Sequence, residues 1–139
     1  MASTRILGID PGSVKCGLGI VEVEGGSVLH HEIVARAELH AAVQRLQSDH
    51  AVTRIALGSG TEAKTVQADI AEVGIPIDLV NEYGTTLAAR ARYFQAKPPR
   101  GWKRFIPRGL LVPEEPIDDW AAVIIAERQI ALLKESRSG

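Results

Sequence analysis

The chain has almost no cysteine, few aromatic residues and no long apolar run, and each shortage narrows what it can be. Cys16 is the only cysteine among 139 residues, which excludes an internal disulfide framework and fits a reducing, cytoplasmic setting. No apolar stretch approaches the ~20 residues needed to span a bilayer, so no membrane partner is expected. The first residues, MASTRILGID, lead straight into a strand-like segment without the apolar centre of a signal peptide. The four histidines (His30, His31, His40 and His50) lack paired metal-ligand spacing and read as surface or edge residues. There is no internal repeat and no low-complexity tract. What remains is 45% apolar and 24% charged, the balance of an ordinary globular chain. The length fits a single domain, residues 1–139, large enough to bury a stable core without staples.

The formal net charge of −1 conceals an uneven distribution. Arg90, Arg92, Lys97, Arg100, Lys103, Arg104 and Arg108 follow one another with no acid between them. The rest of the chain holds nine Lys and Arg against seventeen Asp and Glu. Tyr93, Phe94, Trp102 and Phe105 fall inside the same cationic stretch. Cations interleaved with aromatics on an otherwise acidic protein point to a localised anion-binding surface. A solvated helix end followed by a polar loop would produce the same pattern.

The apolar periodicity outlines an α/β domain. Thr4 to Ile9 is a short buried strand ending at Asp10, and Cys16 to Glu24 alternates as a second strand. Gly25-Gly26 is a hairpin signal, so Ser27 to Ala35 returns antiparallel. Helical spacing predicts an amphipathic helix over Glu38 to Asp49. Thr53 to Leu57 is a strand stopped by Gly58 and Gly60, and Thr61 is the expected N-cap of the next helix. Gly74 ends that helix, Ile75 to Val80 is a strand, and Thr85 to Gln95 a third helix. Pro98-Pro99 breaks it, and a loop runs to Pro116 before a closing helix over Asp118 to Lys134. The result is a mixed five-stranded sheet, three antiparallel strands and then two parallel ones, flanked by helices.

In such sheets the functional crevice lies at the carboxyl ends of the parallel strands. Asp10 ends the first strand, Glu82 follows the last, and Asp118-Asp119 open the final helix. Separately, each has a structural explanation: a turn with Pro11-Gly12, a solvated strand end, and capping of free helix amides. Together, three acids in one crevice would repel one another and raise their pKa values unless a cation neutralised them. An all-oxygen donor set without clustered His or Cys points to Mg²⁺ or Mn²⁺ rather than zinc.

Ile6-Leu7-Gly8-Ile9-Asp10-Pro11-Gly12-Ser13, followed by Gly17-Leu18-Gly19, resembles the first strand of the RNase H-like nuclease superfamily. Within it, the overall plan resembles the YqgF/RuvX family, nucleases of precursor 16S rRNA processing or Holliday junction resolvase-like proteins. Asn81-Glu82-Tyr83-Gly84-Thr85-Thr86 sits where that family has Asp-Glu-Arg followed by Leu-Thr-Thr. Ile117-Asp118-Asp119-Trp120-Ala121-Ala122-Val123-Ile124-Ile125 resembles its closing helix. Departures are Asn81 and Tyr83 for the flanking acid and base, Val14-Lys15 for Lys-Arg, and Gly58-Ser59-Gly60 for a Gly-Leu-Pro signature. The resemblance covers essentially the whole chain, and it implies an RNase H-like fold with Asp10, Glu82 and Asp118 as ligands of two Mg²⁺ or Mn²⁺ ions. Asp119 is the alternative third ligand or a supporting partner.

Two ions roughly 4 Å apart would activate water and relieve charge on a phosphodiester. Lys15, Arg90 and Arg92 are expected to hold phosphates beside the cut. Lys97, Arg100, Trp102, Lys103, Arg104 and Arg108 are expected to form a substrate clamp. The partner is then structured RNA or branched DNA, and a homodimer is compatible with the junction-resolving version. A sugar kinase or ATPase needs two lobes that this length does not supply. A nuclease-like scaffold that binds without cutting is the principal alternative.

Overall fold

The computed structural model describes residues 3–138, the side chains of Arg108, Arg137 and Ser138 excepted. Strand β1 (Arg5–Asp10) occupies the middle of a five-stranded sheet ordered β3-β2-β1-β4-β5. On one side β2 (Lys15–Glu22) and β3 (Val28–Ala35) continue the sheet antiparallel. On the other, β4 (Arg54–Gly58) and β5 (Ile77–Val80) run parallel to β1. Helix α1 (Leu39–His50) joins β3 to β4, and α2 (Ala63–Ile70) joins β4 to β5. Helices α3 (Thr85–Ala96) and α4 (Asp118–Ser138) complete the chain. The expected order of three antiparallel and two parallel strands is the observed one.

Helices cover both faces of β1, so Ile6, Leu7 and Ile9 are fully buried and the strand reads as an apolar run. Side chains alternate across it. Leu7 and Ile9 pack with Leu39, Val43 and Leu46 of α1 and Val66 and Ile70 of α2. Ile6 faces the opposite layer, with Val123, Ile125, Ala126 and Ile130 of α4. The same alternation sends Gly8 and Asp10 to the α4 side. There the absence of side chains matters. A Cβ on Gly8 would overlap the Ala122 carbonyl, and one on Gly17 would overlap the Asp118 carbonyl. The first turn of α4 therefore rests directly on the β1–β2 backbone. Gly17 is also the cross-strand partner of Asp10, so this contact sets the start of α4 beside Asp10.

Several details differ from the sequence-based outline. Thr61 does not cap α2: the helix begins at Ala63, and no side chain caps it. The backbone closes the turn instead, with Ala63 N donating to Gly60 O at 3.0 Å and Val66 N to Glu62 O at 3.0 Å. β5 starts at Ile77 rather than Ile75, because Pro76 has no N–H to donate and only its carbonyl accepts, from Ile55 N at 2.9 Å. β2 ends at Glu22, where the Gly25-Gly26 turn closes through Glu22 N to Ser27 O at 2.9 Å. The segment expected as plain loop contains two short 3-10 turns, Gly101–Phe105 and Arg108–Leu110. Leu111 inserts there against Tyr93 and Phe94, which ties this segment to α3. Among the described residues no helix is long and apolar enough to cross a membrane.

The close seat of α4 makes a direct prediction. Gly8→Ala should destabilise the fold by about 2–3 kcal/mol in urea denaturation, since packed backbone must move apart. Gly109→Ala, where a Cβ meets nothing within 4 Å, should stay within about 0.5 kcal/mol of wild type.

Candidate active site

The parallel strands β1 and β4, and β5 beyond them, end at one edge of the sheet, and the candidate acids collect there. Asp10 is the last residue of β1 and faces α4. Glu82 lies two residues past β5, on a turn built by its neighbours. Tyr83 N donates to Asn81 Oδ1 at 2.9 Å, and Arg128 Nη1 of α4 donates to the Asn81 carbonyl at 2.9 Å. Thr85 N and Oγ1 both donate to the Glu82 carbonyl, at 3.0 and 2.9 Å. Gly84, at φ +74°, makes the left-handed turn into α3. Glu82 is thus fixed through its backbone while its carboxylate swings back over β4.

The end of β4 is shaped to receive it. A Cβ on Gly58 would lie 2.5 Å from Glu82 Oε2, and one on Gly60 would overlap Oε1. Gly58-Ser59-Gly60, which in the sequence reads as a departure from a family signature, is the space that the Glu82 carboxylate fills. Ser59 N donates to Val80 O at 3.0 Å and holds that space against β5.

Asp118 and Asp119 diverge although they are adjacent. Asp118, whose carbonyl sits on Gly17, pairs with Lys15 Nζ at 3.1 Å. Asp119 turns toward β3: its Oδ2 lies 2.8 Å from His31 Nδ1, and its Oδ1 accepts from Trp120 N at 2.9 Å. The His31 ring packs on Trp120 with centroids 4.4 Å apart. His31 is an edge-strand residue as expected, but its part in fastening the start of α4 had no sequence signal.

Charge at the site is under-compensated. Asp10 is pushed up to about 7, first by burial, then by the Asp118 and Glu82 charges, with Lys15 opposing. Burial also raises Glu82. Asp10 therefore interacts with both partners that the sequence grouped with it. Among the described residues, however, no three acidic, histidine or cysteine side chains are drawn together into a preformed metal-binding cluster. The donors are all hard oxygens carrying excess negative charge, which fits a hard divalent cation and not zinc.

The expected substrate cations separate into groups. Arg90 lines a cleft of about 570 Å³ together with Lys15, Thr86 and Asp118. Arg92 does not face it: Nη1 donates to Glu127 Oε1 at 2.5 Å, and the guanidinium stacks 5.8 Å from the Trp120 ring, tying α3 to α4. Lys97 pairs with Glu115, and Lys103 with Glu114 at 2.5 Å. Arg104 lies over Phe105, 5.0 Å from its ring centre. Arg100 and Trp102 are exposed, and the Arg108 side chain lies outside the described residues.

The element order and mixed sheet define an α/β protein of the RNase H-like fold, and the solved structures similar to it include RuvC proteins and a phage terminase nuclease. RuvC of Thermus thermophilus matches at 17% identity and a TM-score of 0.64, covering 96% of this chain and 97% of that one. T. thermophilus RuvC in complex with a Holliday junction substrate matches at 20% identity and 0.59, covering 98% and 96%. The large terminase nuclease of thermophilic phage G20c matches at 12% identity and 0.59, covering 91% and 82%. No family profile and no curated protein matches the sequence.

The raised Asp10 pKa has a signed consequence for stability. The unfolded chain loses this proton near pH 3.8 and the folded chain near 7. The folded state therefore holds more protons between those values, and stability falls as pH rises through that window. In metal-free buffer, Asp10→Asn should stabilise the protein at pH 8 by on the order of 1–2 kcal/mol. The gain should shrink at pH 5, as read by melting temperature.

Proposed function

We propose that this chain is a divalent-metal-dependent endonuclease that hydrolyses phosphodiester bonds in structured nucleic acid, either precursor rRNA or branched DNA. The observation that carries this reading is Asp10. It is a half-buried carboxylate at the carboxyl end of the central strand, and its charge is disfavoured first by burial and then by Asp118 from α4 and Glu82 beyond β5. Carboxylates with such raised pKa values, set in a crevice, are concentrated at functional sites. The RuvC-type neighbours, one of them bound to a Holliday junction, and the terminase nuclease support the assignment through their fold. Within the superfamily, the YqgF/RuvX resemblance of the three acidic motifs favours that branch.

Asp10, Glu82 and Asp118 would hold two Mg²⁺ or Mn²⁺ ions. When bound, such ions supply an activated water and neutralise charge on the phosphate. The chain's own residues do the rest. Gly58 and Gly60 leave room for the Glu82 carboxylate to turn toward the crevice. His31 and Asp119 fasten the first turn of α4 and so orient Asp118. Lys15, paired with Asp118, and Arg90, across the same cleft, offer two cations to phosphates entering it.

A second reading, a nucleic-acid-binding module that does not cut, is favoured by two observations. Lys15 already neutralises Asp118, and the acids are not preassembled among the described residues. The two readings separate in a cleavage panel of precursor rRNA, single-stranded RNA and four-way DNA junctions with Mg²⁺ and Mn²⁺. The nuclease reading expects metal-dependent cutting of at least one substrate, and Asp10→Asn should reduce it by roughly 10²–10³ or more. Binding without cleavage under either metal would establish the module.

The two arginines of α3 should also behave differently. Arg90→Ala should weaken substrate binding and lower the salt slope by about one. Arg92→Ala should leave that slope unchanged and cost thermal stability, because its partners are Glu127 and Trp120. Equal slopes for the two variants would contradict the assignment.

A further inference from the structure

Beyond α3 the chain folds over a cavity of about 490 Å³ that is lined by none of Asp10, Glu82, Asp118 and Asp119 and shares Glu114 and Glu115 with the cleft beside Lys15. Phe94, Trp102 and Leu111 supply apolar walls, and Lys97, Arg100 and Lys103 stand around it. Phe94 and Leu111 are buried, so this side is firm. Trp102 leaves 70% of its surface in solvent although it lines the cavity. An exposed aromatic face beside several cations is the combination that receives a base and its phosphates together. The volume is in the range of sites that enclose a small organic ligand.

The two lysines are occupied from within. Glu115 holds Lys97 and Glu114 holds Lys103, so each ammonium already faces a carboxylate in the free protein. A phosphate can replace a carboxylate on either lysine, because both are oxygen anions accepting from the same donor.

From this we infer that the cavity is a subsite for one unpaired nucleotide of a nucleic-acid substrate. Its base lies against Trp102, and its flanking phosphates take Lys97 and Lys103 from Glu115 and Glu114. This inference rests on the nucleic-acid reading above and deepens it. It assigns preference for an unpaired nucleotide to a place separate from the acids that would cut.

The test is fluorescence anisotropy of the full chain, in EDTA, with two labelled hairpins that differ by one extra unpaired adenosine. Each hairpin is made in RNA and in DNA. Wild type should bind the bulged form about tenfold more tightly. Trp102→Ala should abolish that preference, whereas Trp102→Phe should keep most of it. Glu114→Gln with Glu115→Gln should tighten bulged binding, since phosphate then takes Lys97 and Lys103 without displacing a carboxylate. Equal affinity of wild type for both hairpins, or a preference that survives in Trp102→Ala, overturns the subsite and leaves the nucleic-acid reading standing. Failure to bind any of the hairpins overturns both.

Discussion

The contact on which the rest depends is backbone against backbone, where α4 lies on the glycines of β1 and β2. Gly8 and Gly17 carry no side chain where the Ala122 and Asp118 carbonyls arrive, so the helix sits closer than any other residue would allow. Dispersion and buried apolar area hold it there, through Val123, Ile125 and Ala126 against Ile6, Val21 and Ala56. The chemical outcome is a matter of register. Gly17 faces Asp10 across the sheet, and the carbonyl on Gly17 belongs to Asp118. Packing thus brings together two acids separated by more than a hundred residues of sequence.

The same packing works against electrostatics. Burial and two neighbouring carboxylates disfavour a charged Asp10, and Lys15 offsets this only in part. Tight seating of α4 and ionisation of Asp10 therefore pull in opposite directions, and a bound cation would bring them into agreement. Around this centre the fold spends other contacts on holding the acids in place. The Asn81 turn and Thr85 fix Glu82, and His31 with Trp120 and Asp119 fixes the helix start. The result is an acidic edge next to a cationic, aromatic segment in which Lys97 and Lys103 are paired with Glu115 and Glu114.

Much of this was legible in the residues, for identifiable reasons. An apolar run ending in an acid marks a doubly covered strand, so β1 and Asp10 were plain from Ile6 to Asp10 alone. The Gly25-Gly26 hairpin and the helical spacing of Leu39, Val43 and Leu46 are local signals, and they fell within a residue or two of the observed elements. What escaped was non-local. Gly58 and Gly60 read as strand breakers and as a family departure, and only the folded chain shows that they accommodate Glu82. Arg92, Lys97 and Lys103 read as free cations, yet their partners Glu127, Glu115 and Glu114 come from later segments. The sequence could not say which of Asp118 and Asp119 enters the crevice, because one step along a helix start changes its direction. Thr61 looked like a cap, and the backbone turn at Gly60 made it unnecessary.

The central claim is that Asp10, Glu82 and Asp118 share a divalent ion at the carboxyl edge of the sheet. Anomalous diffraction from crystals soaked in Mn²⁺ measures this directly. The account predicts manganese peaks within coordination distance of Asp10 and at least one of the other two carboxylates, with Lys15 turned away from Asp118. Manganese confined to surface sites, with the Lys15–Asp118 pair intact at saturating metal, would contradict it.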